Sequence, residues 1–386
     1  MGEIAEYFFR LGWLAFGGPV GQIGLMHLEV VERRGWLTEE EFLRALNFCH
    51  VLPGPEATQL AIYVGWRKAG WTGGVLAGLL FILPGFLTLT GLAWLYVHHG
   101  QDPRVVNVLW GFRPVGLALL LAAFLRIGRA TLRDAETVAL AVASCAAFVT
   151  VGLPFPLVLA GGGFAHLLLR RTNRTARAAL ILFATCLAPA SSWAADQAAR
   201  RLADVSWFFL KVGLFSFGGA YAVLPYLRAG SVGTYGWLSD HQMIDALALG
   251  ETTPGPLISI GTFVGFLAGQ TVGFPWWGAI AATFWLFLPS FVFVLGAVRF
   301  MDRLLVLKGV KEFLKGVTCA VVGLMAAIAI PLARAATMPG GILDPLTVAL
   351  GILAFATLVF WRWRLNVVVV VLGGGIIGLL RAALIP

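Results

Sequence analysis

Two Pro-Gly-Pro triplets, Pro53-Gly54-Pro55 and Pro254-Gly255-Pro256, interrupt apolar stretches of the sequence, and each has a carboxylate nearby, Glu56 or Glu251. Proline lacks the backbone N–H and clashes with the preceding helical turn, so each triplet is expected to break a helix. In a bilayer, the freed backbone groups are tolerated only where protein encloses a wet cavity. A helix that restarts there points unpaired N–H groups at the cavity, and its dipole favours an anion. The triplets therefore predict two helix ends that bind a shared anion.

Glycine pairs and neutral polar side chains near the triplets could complete this site. Gly17-Gly18-Pro19 and Gly218-Gly219 would let two backbones approach closely, although glycine pairs in membrane helices also serve packing alone. Neutral hydrogen-bond donors flank both triplets, namely Thr58, Gln59, Thr252, Thr253 and Ser259. Because both motifs recur in the same order, we expect them to face one pocket.

Basic residues inside apolar segments could supply positive charge for an oxyanion. Arg10 and Lys211 precede the two glycine pairs at equivalent places, and Arg113 lies beside a proline in another apolar segment. Arg10 and Lys211 could instead extend to the membrane interface. Glu56 and Glu251 are candidates for proton coupling, because an acid inside a membrane is often a proton relay. Pairing with a nearby arginine is the structural alternative for both acids.

Composition indicates a membrane protein. Of the 386 residues, 59% are hydrophobic and only 12% are charged, whereas soluble domains carry about 25% charged residues. The sequence contains about thirteen apolar segments, and a bilayer span needs roughly 20 apolar residues. Continuous runs rich in Gly, Ala and Leu favour packed helices over a β-barrel. The predicted fold class is therefore an all-α polytopic membrane protein with about 13 transmembrane segments.

The same composition disfavours several other functions. The net charge of +9 is typical of basic cytoplasmic loops, and no basic stripe with exposed aromatics indicates nucleic-acid binding. The four cysteines form no C-x-x-C pair, and the six histidines lack metal-ligand spacing. We therefore predict neither a metal nor a cofactor. Because no nucleophile–base pair is evident either, an enzyme is disfavoured.

An internal repeat divides the chain. Phe16-Gly17-Gly18 aligns with Phe217-Gly218-Gly219, and the two Pro-Gly-Pro triplets align at the same spacing of 201 residues. Further along, "FILPGF" at 81–86 resembles "LFLPSF" at 286–291. The chain is thus predicted to comprise an N-terminal repeat, 1–177, a linking helix, 178–204, and a C-terminal repeat, 205–386.

If each half has six spans and a single helix links them, the second half enters the membrane from the opposite side and is inverted relative to the first. With the N-terminus in the cytoplasm and every apolar segment counted as a span, the inside loops hold 17 Lys and Arg residues and the outside loops hold 8. An excess of basic residues in cytoplasmic loops supports this orientation. Inverted repeats with broken helices near the midplane are the recurring plan of secondary transporters. Some segments near the motifs could be re-entrant hairpins instead of full crossings.

The sequence resembles the chromate ion transporter family in its long form with two homologous halves. The resemblance rests on "FGGPVGQIGLMHLEVVERRGWL", "FLRALNFCHVLPGPEATQLAIYVGW" and "AGLLFILPGF" in the first half. In the second half it rests on "FSFGGAYAVLPYL" and "LALGETTPGPLISIGTFVGF". The resemblance implies antiparallel halves and an inner-membrane carrier that exports chromate from the cytoplasm with energy from the proton gradient. One departure is Ala220, where the first half has Pro19.

The expected function is therefore secondary transport of chromate. A carrier for sulfate or another oxyanion and a passive anion channel are the alternatives. The expected partners are the oxyanion, protons and the lipid bilayer, with a homodimer left open.

Overall fold

The computed structural model describes residues 1–15, 18–170, 201–217, 220–306, 308–338, 341–361 and 366–384. Within these ranges every regular element is a helix, which confirms the all-α prediction. Several predicted features lie outside the described residues, namely Gly17, Gly218, Gly219 and most of the linking helix 178–204.

The first half begins with two short helices, α1 (Gly2–Leu14) and α2 (Gly18–His27), and a π-helical turn, Leu28–Arg33. The remaining helices of this half are α3 (Glu39–Val51), α4 (Glu56–His99), α5 (Pro103–Thr131), α6 (Ala135–Thr150) and α7 (Phe155–Arg170). Helix α4 is sharply bent at Ala69 and Gly70, where Gly70 has a φ of +65°. It therefore consists of two arms, residues 56–68 and 71–99.

The second half follows the same order. It begins with α8 (Leu202–Leu214), a 3-10 turn (Ala220–Val223), α9 (Leu224–Arg228) and a π-helical turn (Ala229–Thr234). It continues with α10 (Asp240–Thr252), a 3-10 turn (Leu257–Ser259), α11 (Ile260–Thr271) and α12 (Pro275–Ala297). It ends with α13 (Met301–Val306), α14 (Lys308–Thr337), α15 (Pro345–Phe360) and α16 (Asn366–Leu384).

Local structure recurs at the spacing of 201 residues. The π-helical turns at Leu28–Arg33 and Ala229–Thr234 keep this register. Gly35 and Gly236 follow them with φ values of +57° and +60°, a left-handed conformation that glycine adopts without strain. Thr38 and Ser239 then cap α3 and α10, each in a reciprocal capping box. The repeated motifs therefore fold alike locally, whereas the boundaries of the two halves stay a prediction.

Residues 39–68 form a hairpin, which we call hairpin 1. Arg67, near the end of the second arm, pairs with Glu41, near the start of the first, at 3.1 Å. The Thr38 amide and the Arg67 guanidinium hold the pKa of Glu41 below its usual range. The two arms of this hairpin, residues 39–51 and 56–68, have 13 residues each and are about 20 Å long. Each is too short to cross a hydrocarbon core of about 30 Å. The apolar segment 45–66 therefore turns back at the triplet instead of forming one straight helix, as expected for a re-entrant hairpin.

Residues 240–271 form the equivalent hairpin 2. Tyr96, at the end of α4, contacts both of its arms. Its hydroxyl donates to Asp245 at 2.9 Å, and its ring lies 5.3 Å from that of Phe263. Nearer the tip, a Cβ placed on Gly250 would lie 3.3 Å from Ile260. Two arms at matching distances from the second triplet thus lie side by side.

The apolar segment 5–26 is broken as well. Helix α1 ends at Leu14 and α2 begins at Gly18, whose φ is +81°. After the π-helical turn the chain returns to α1, where the Trp36 ring lies 5.7 Å from that of Tyr7. Trp237 contacts Phe208 in the same way at 5.5 Å. Each half therefore begins with two successive hairpins.

Four helical stretches are long and apolar enough to cross a membrane, namely Glu56–His99, Pro103–Thr131, Pro275–Arg303 and Gly309–Thr337. Five shorter apolar helices accompany them. The chain is thus a multi-pass membrane protein, and its count of 13 spans stays a prediction. The largest buried cluster joins α4 and α5 of the first half to α8, α10, α11 and α12 of the second. A second cluster packs hairpin 1 against α1 and the end of α12, so both clusters contain residues of both halves.

Candidate functional site

The first triplet forms the tip of hairpin 1 and lies against the second half. Gly54 has a φ of +132°, and its amide donates to the Ser216 carbonyl at 2.7 Å. The Gln59 amide nitrogen donates to the Pro53 carbonyl at 2.7 Å. A Cβ on Gly54 would overlap the Ser290 hydroxyl and the Gln59 side chain. Only glycine fits this position, for its conformation and for the space around it.

The second triplet forms the tip of hairpin 2 and lies against the first half. The buried Gln22 side chain donates to the Gly255 carbonyl at 2.8 Å and to the Ala15 carbonyl at 3.2 Å. A Cβ on Gly255, whose φ is +99°, would lie 2.9 Å from the Gly85 Cα. Ala15 and Ser216 are 201 residues apart. Each tip is thus held at the point where the first helix of the opposite half ends, at Ala15 or Ser216.

The two tips also contact equivalent proline-containing positions in the long helices. Gly85 lies in the Pro84-Gly85 pair of α4, and Ser290 lies in the Pro289-Ser290 pair of α12. A Cβ on Gly85 would lie 3.1 Å from both the Pro254 carbonyl oxygen and the Ser259 hydroxyl. The "LPGF" and "LPSF" motifs that mark the repeat are therefore the surfaces on which the tips are seated.

Unpaired polar atoms are concentrated at the tips. In the described part of the chain, twelve buried side-chain polar atoms lack a hydrogen-bond partner. Buried polar groups are normally paired, and leaving one unpaired costs about 1–3 kcal/mol. Seven of the twelve belong to tip residues or their neighbours, namely Gln22, Thr58, Gln59, Ser216, Glu251, Ser259 and Ser290. Four of the seven atoms are hydroxyls, which can donate to a ligand, whereas those of Gln22, Gln59 and Glu251 are carbonyl or carboxylate oxygens, which accept.

A charged cluster lies beside tip 2. Glu251, three residues before the triplet, is buried, and one of its carboxylate oxygens is unpaired. The Tyr221 hydroxyl interacts with Glu251 and with Arg126 of α5, and the Arg126 guanidinium lies 5.7 Å from the Tyr221 ring centre. Arg126 thus interacts electrostatically with Glu251, and both contact Tyr221.

The three basic residues predicted to bind the anion lie elsewhere. Arg113 donates to both carboxylate oxygens of Asp245, at 3.0 and 3.2 Å. Arg10 is an exposed residue of α1. The Lys211 ammonium lies 5.6 Å from the ring of Trp207, in its own helix α8. The contacts of Arg113 and Lys211 thus differ from those predicted, and their role in binding stays a prediction.

The remaining predicted residues surround the triplets. Glu56 is half-buried in the first turn of α4, where the helix dipole favours an acid. Gly18 and Pro19 begin α2, and Thr58 and Gln59 are buried beside tip 1. Sequence analysis missed Gln22, Ser216 and Ser290. The repeated "LPGF" and "LPSF" motifs were the available signal for Ser290.

No group of three or more His, Cys, Asp or Glu side chains in the described ranges could hold a metal ion. The side chains around the tips are instead mostly neutral polar groups, with Glu251 and Arg126 as charged groups beside tip 2.

Known proteins identify the family. The sequence profile of the chromate transporter family matches residues 2–167 and 203–379. The chain belongs to the chromate transporter family. A chromate transport protein of Pseudomonas aeruginosa is 38% identical over 394 aligned positions, covering 97% of this chain and 91% of that protein. One from Cupriavidus metallidurans is 30% identical and covers 99% and 94%.

A third relative, a probable chromate transport protein of Synechococcus elongatus, is 30% identical over 86% of this chain and 84% of its own length. These relatives of the chromate transporter family are named as transport proteins and not as enzymes. No solved structure matches the chain.

Proposed function

We propose that this protein is a secondary transporter that exports chromate from the cytoplasm across the inner membrane. The observation that carries the proposal is that each half seats the helix break of the other, with four buried hydroxyls around the two breaks that lack a partner. Tetrahedral oxyanions present several acceptor oxygens, which match these hydroxyl donors. Membership of the chromate transporter family supports chromate as the anion.

We propose further that the two halves are inverted. Arg44, near the start of hairpin 1, pairs with Asp302 just beyond the end of α12. Tyr96, near the end of α4, bonds Asp245 near the start of hairpin 2. Helices α4 and α12 begin at hairpins 1 and 2 respectively, and each ends near the base of the other hairpin. This arrangement supports entry of the two hairpins from opposite sides of the membrane.

The hairpins also change the expected distribution of basic residues. If each hairpin returns to its own side, Arg33, Arg34 and Arg44 move to the inside and Arg228 moves to the outside. With an N-terminus in the cytoplasm, the inside and outside counts then change from 17 and 8 to 19 and 6. The stronger excess supports this orientation. Four crossings in each half, two of them long and two shorter, and one linking helix would then replace thirteen simple spans.

We assign proton coupling to Glu251 first and Glu56 second. Glu251 is buried beside tip 2, with Tyr221 and Arg126 close to it. An acid in such a place can exchange a proton while the oxyanion occupies the neighbouring donors. Glu56 adjoins tip 1 but is only half-buried.

The test is uptake of chromate into everted vesicles, with and without an imposed proton gradient. Export coupled to protons predicts accumulation against the chromate gradient that collapses with a protonophore. Sulfate measured in parallel separates a chromate carrier from a general oxyanion carrier. Equilibration without accumulation would indicate a passive channel, and movement of neither anion would overturn the proposal.

A further inference from the structure

Positions 44 and 245 are equivalent in the repeat, yet they carry opposite charges. They are 201 residues apart, and each is the sixth residue of its helix, α3 or α10. Arg44 pairs with Asp302 of α13, whereas Asp245 pairs with Arg113 of α5. Both ion pairs join a hairpin of one half to a helix of the other half. The charges are reversed, and each pair connects the two halves.

One partner of Asp245 lies at a place that corresponds to Asp302, whereas Arg113 belongs to the next helix, α5. Aligning "LPGF" of α4 with "LPSF" of α12 brings Asp302 opposite Val97, the residue after Tyr96. Tyr96 is the second partner of Asp245, through its hydroxyl. Each hairpin is thus fastened near its base to the far end of the opposite half's long helix.

The two contacts differ in burial. The Asp245 side chain is fully buried and that of Arg113 is 20% exposed, whereas Arg44 and Asp302 are 47% and 74% exposed. Loss of one partner of a buried pair leaves an uncompensated charge, which strongly destabilises the folded protein. An exposed pair contributes much less. The contact at Asp245 is therefore expected to hold the halves together more firmly.

We infer that these two ion pairs are reciprocal gates, with Asp245–Arg113–Tyr96 closing the outer side of the transport site and Arg44–Asp302 closing the inner side. Both are formed in this structure, in which both tips are buried, so it corresponds to a state closed on both sides. The inference rests on the inverted arrangement proposed above. It assigns Asp245 and Arg44 as positioning residues that control access and do not bind the anion.

Accessibility of a single thiol tests the two gates. All four native cysteines, Cys49, Cys145, Cys186 and Cys319, are replaced by alanine, and Thr252→Cys places a reporter next to the second triplet. A membrane-impermeant maleimide is then applied to right-side-out or everted vesicles. Asp245→Asn should accelerate labelling from outside by about ten-fold. Asp302→Asn should accelerate labelling from inside by about two-fold.

A matched control is available inside one half. Arg228 and Asp240 form an ion pair of comparable geometry, at 2.7 and 2.9 Å, but both belong to the second half. Asp240→Asn should leave labelling from either side unchanged. Unchanged labelling in Asp245→Asn, or acceleration from the same side in both gate variants, would overturn the inference.

The labelling assay does not depend on the transported anion. If neither chromate nor sulfate moves but the two variants still open opposite sides, the gates stand and the proposed substrate fails. If chromate is transported and labelling does not respond, the gates fail alone. A variant that does not reach the membrane is replaced by Tyr96→Phe, which removes one bond to Asp245 and should accelerate outside labelling by a few-fold.

Discussion

The amide nitrogen of Gly54 lies 2.7 Å from the carbonyl oxygen of Ser216, although 162 residues separate them in the sequence. This bond joins the tip of hairpin 1 to the break that follows α8 in the second half. Gln22 makes the corresponding connection between Gly255 and the break after α1. Each half of the chain therefore completes the helix break of the other, and the halves depend on one another to form the site.

Gly54→Ala is expected to abolish transport. The φ of +132° strains any side chain, and the added Cβ would meet Ser290 and Gln59. Gly91→Ala is the matched control, because a Cβ there has no neighbour within 4 Å. Transport rate per folded molecule checks the prediction. An active Gly54→Ala variant would show that the tip conformation is not needed.

Ser290→Ala should weaken chromate binding without destabilising the fold. Its hydroxyl is buried and unpaired, so its removal breaks no hydrogen bond within the protein. We expect a KM about 5- to 10-fold higher, as for loss of one hydrogen bond of about 1 kcal/mol, and an unchanged or raised Tm. The measurements are transport kinetics and thermal unfolding in detergent.

Thr262→Val provides the contrast, because this hydroxyl is already paired with Thr283 at 2.7 Å. Its loss should lower Tm and leave KM unchanged. If Thr262→Val and Ser290→Ala raise KM equally, the unpaired hydroxyls have no special part in binding.

The hairpins predict which residues share a side of the membrane. Cysteines at Glu40 and Lys68, both exposed, should react from the same side. A cysteine at His99 should react from the opposite side, because residues 71–99 form a long helix. Impermeant maleimide labelling of single-cysteine variants checks this. Labelling of Glu40 and Lys68 from opposite sides would restore segment 45–66 as a full crossing.

Glu251→Gln should uncouple transport from the proton gradient. The amide keeps the size of the side chain but cannot release a proton, so downhill chromate exchange should persist while accumulation against a gradient is lost. The measurement compares exchange and gradient-driven uptake in vesicles. Glu56→Gln is the companion variant, for which we expect a smaller loss. Full accumulation in Glu251→Gln would move the coupling role to another group.

The helix caps should matter equally in the two halves. Thr38 and Ser239 each accept a hydrogen bond from the backbone amide three residues later. Thr38→Ala and Ser239→Ala should each lower stability by about 1 kcal/mol. Thermal unfolding of the two variants checks this, with Thr72→Ala as a control that removes no N-cap. A much larger loss of stability in only one half would show that the two equivalent caps contribute unequally to the stability of the protein.

Much of the fold follows from local physical chemistry. Apolar composition indicates membrane helices, and proline and glycine mark where they break. The Thr38 cap and the left-handed Gly35 and Gly236 are determined within a few residues of themselves. Repetition at 201 residues then predicts that the local structure of the first half recurs in the second half. These features depend on sequence neighbours, so one sequence is sufficient to predict them.

The direction of the chain after each break depended on the tertiary structure. A segment such as 45–66 is apolar enough to cross a bilayer, and nothing local distinguishes a crossing from a return. In the structure Glu41 and Arg67, 26 residues apart, lie together at the base of hairpin 1, which shows that the chain returns.

The partners of charged and polar groups were likewise hidden from the sequence. Arg113 carries a charge that fits an anion site, yet folding brings it to Asp245, 132 residues away. Gln22 and Ser216 acquire their roles only because the opposite half delivers a hairpin tip to them. Composition and periodicity determined the elements of this protein. Packing between two distant halves, in which each buried polar group needs a partner, decided how those elements form a site.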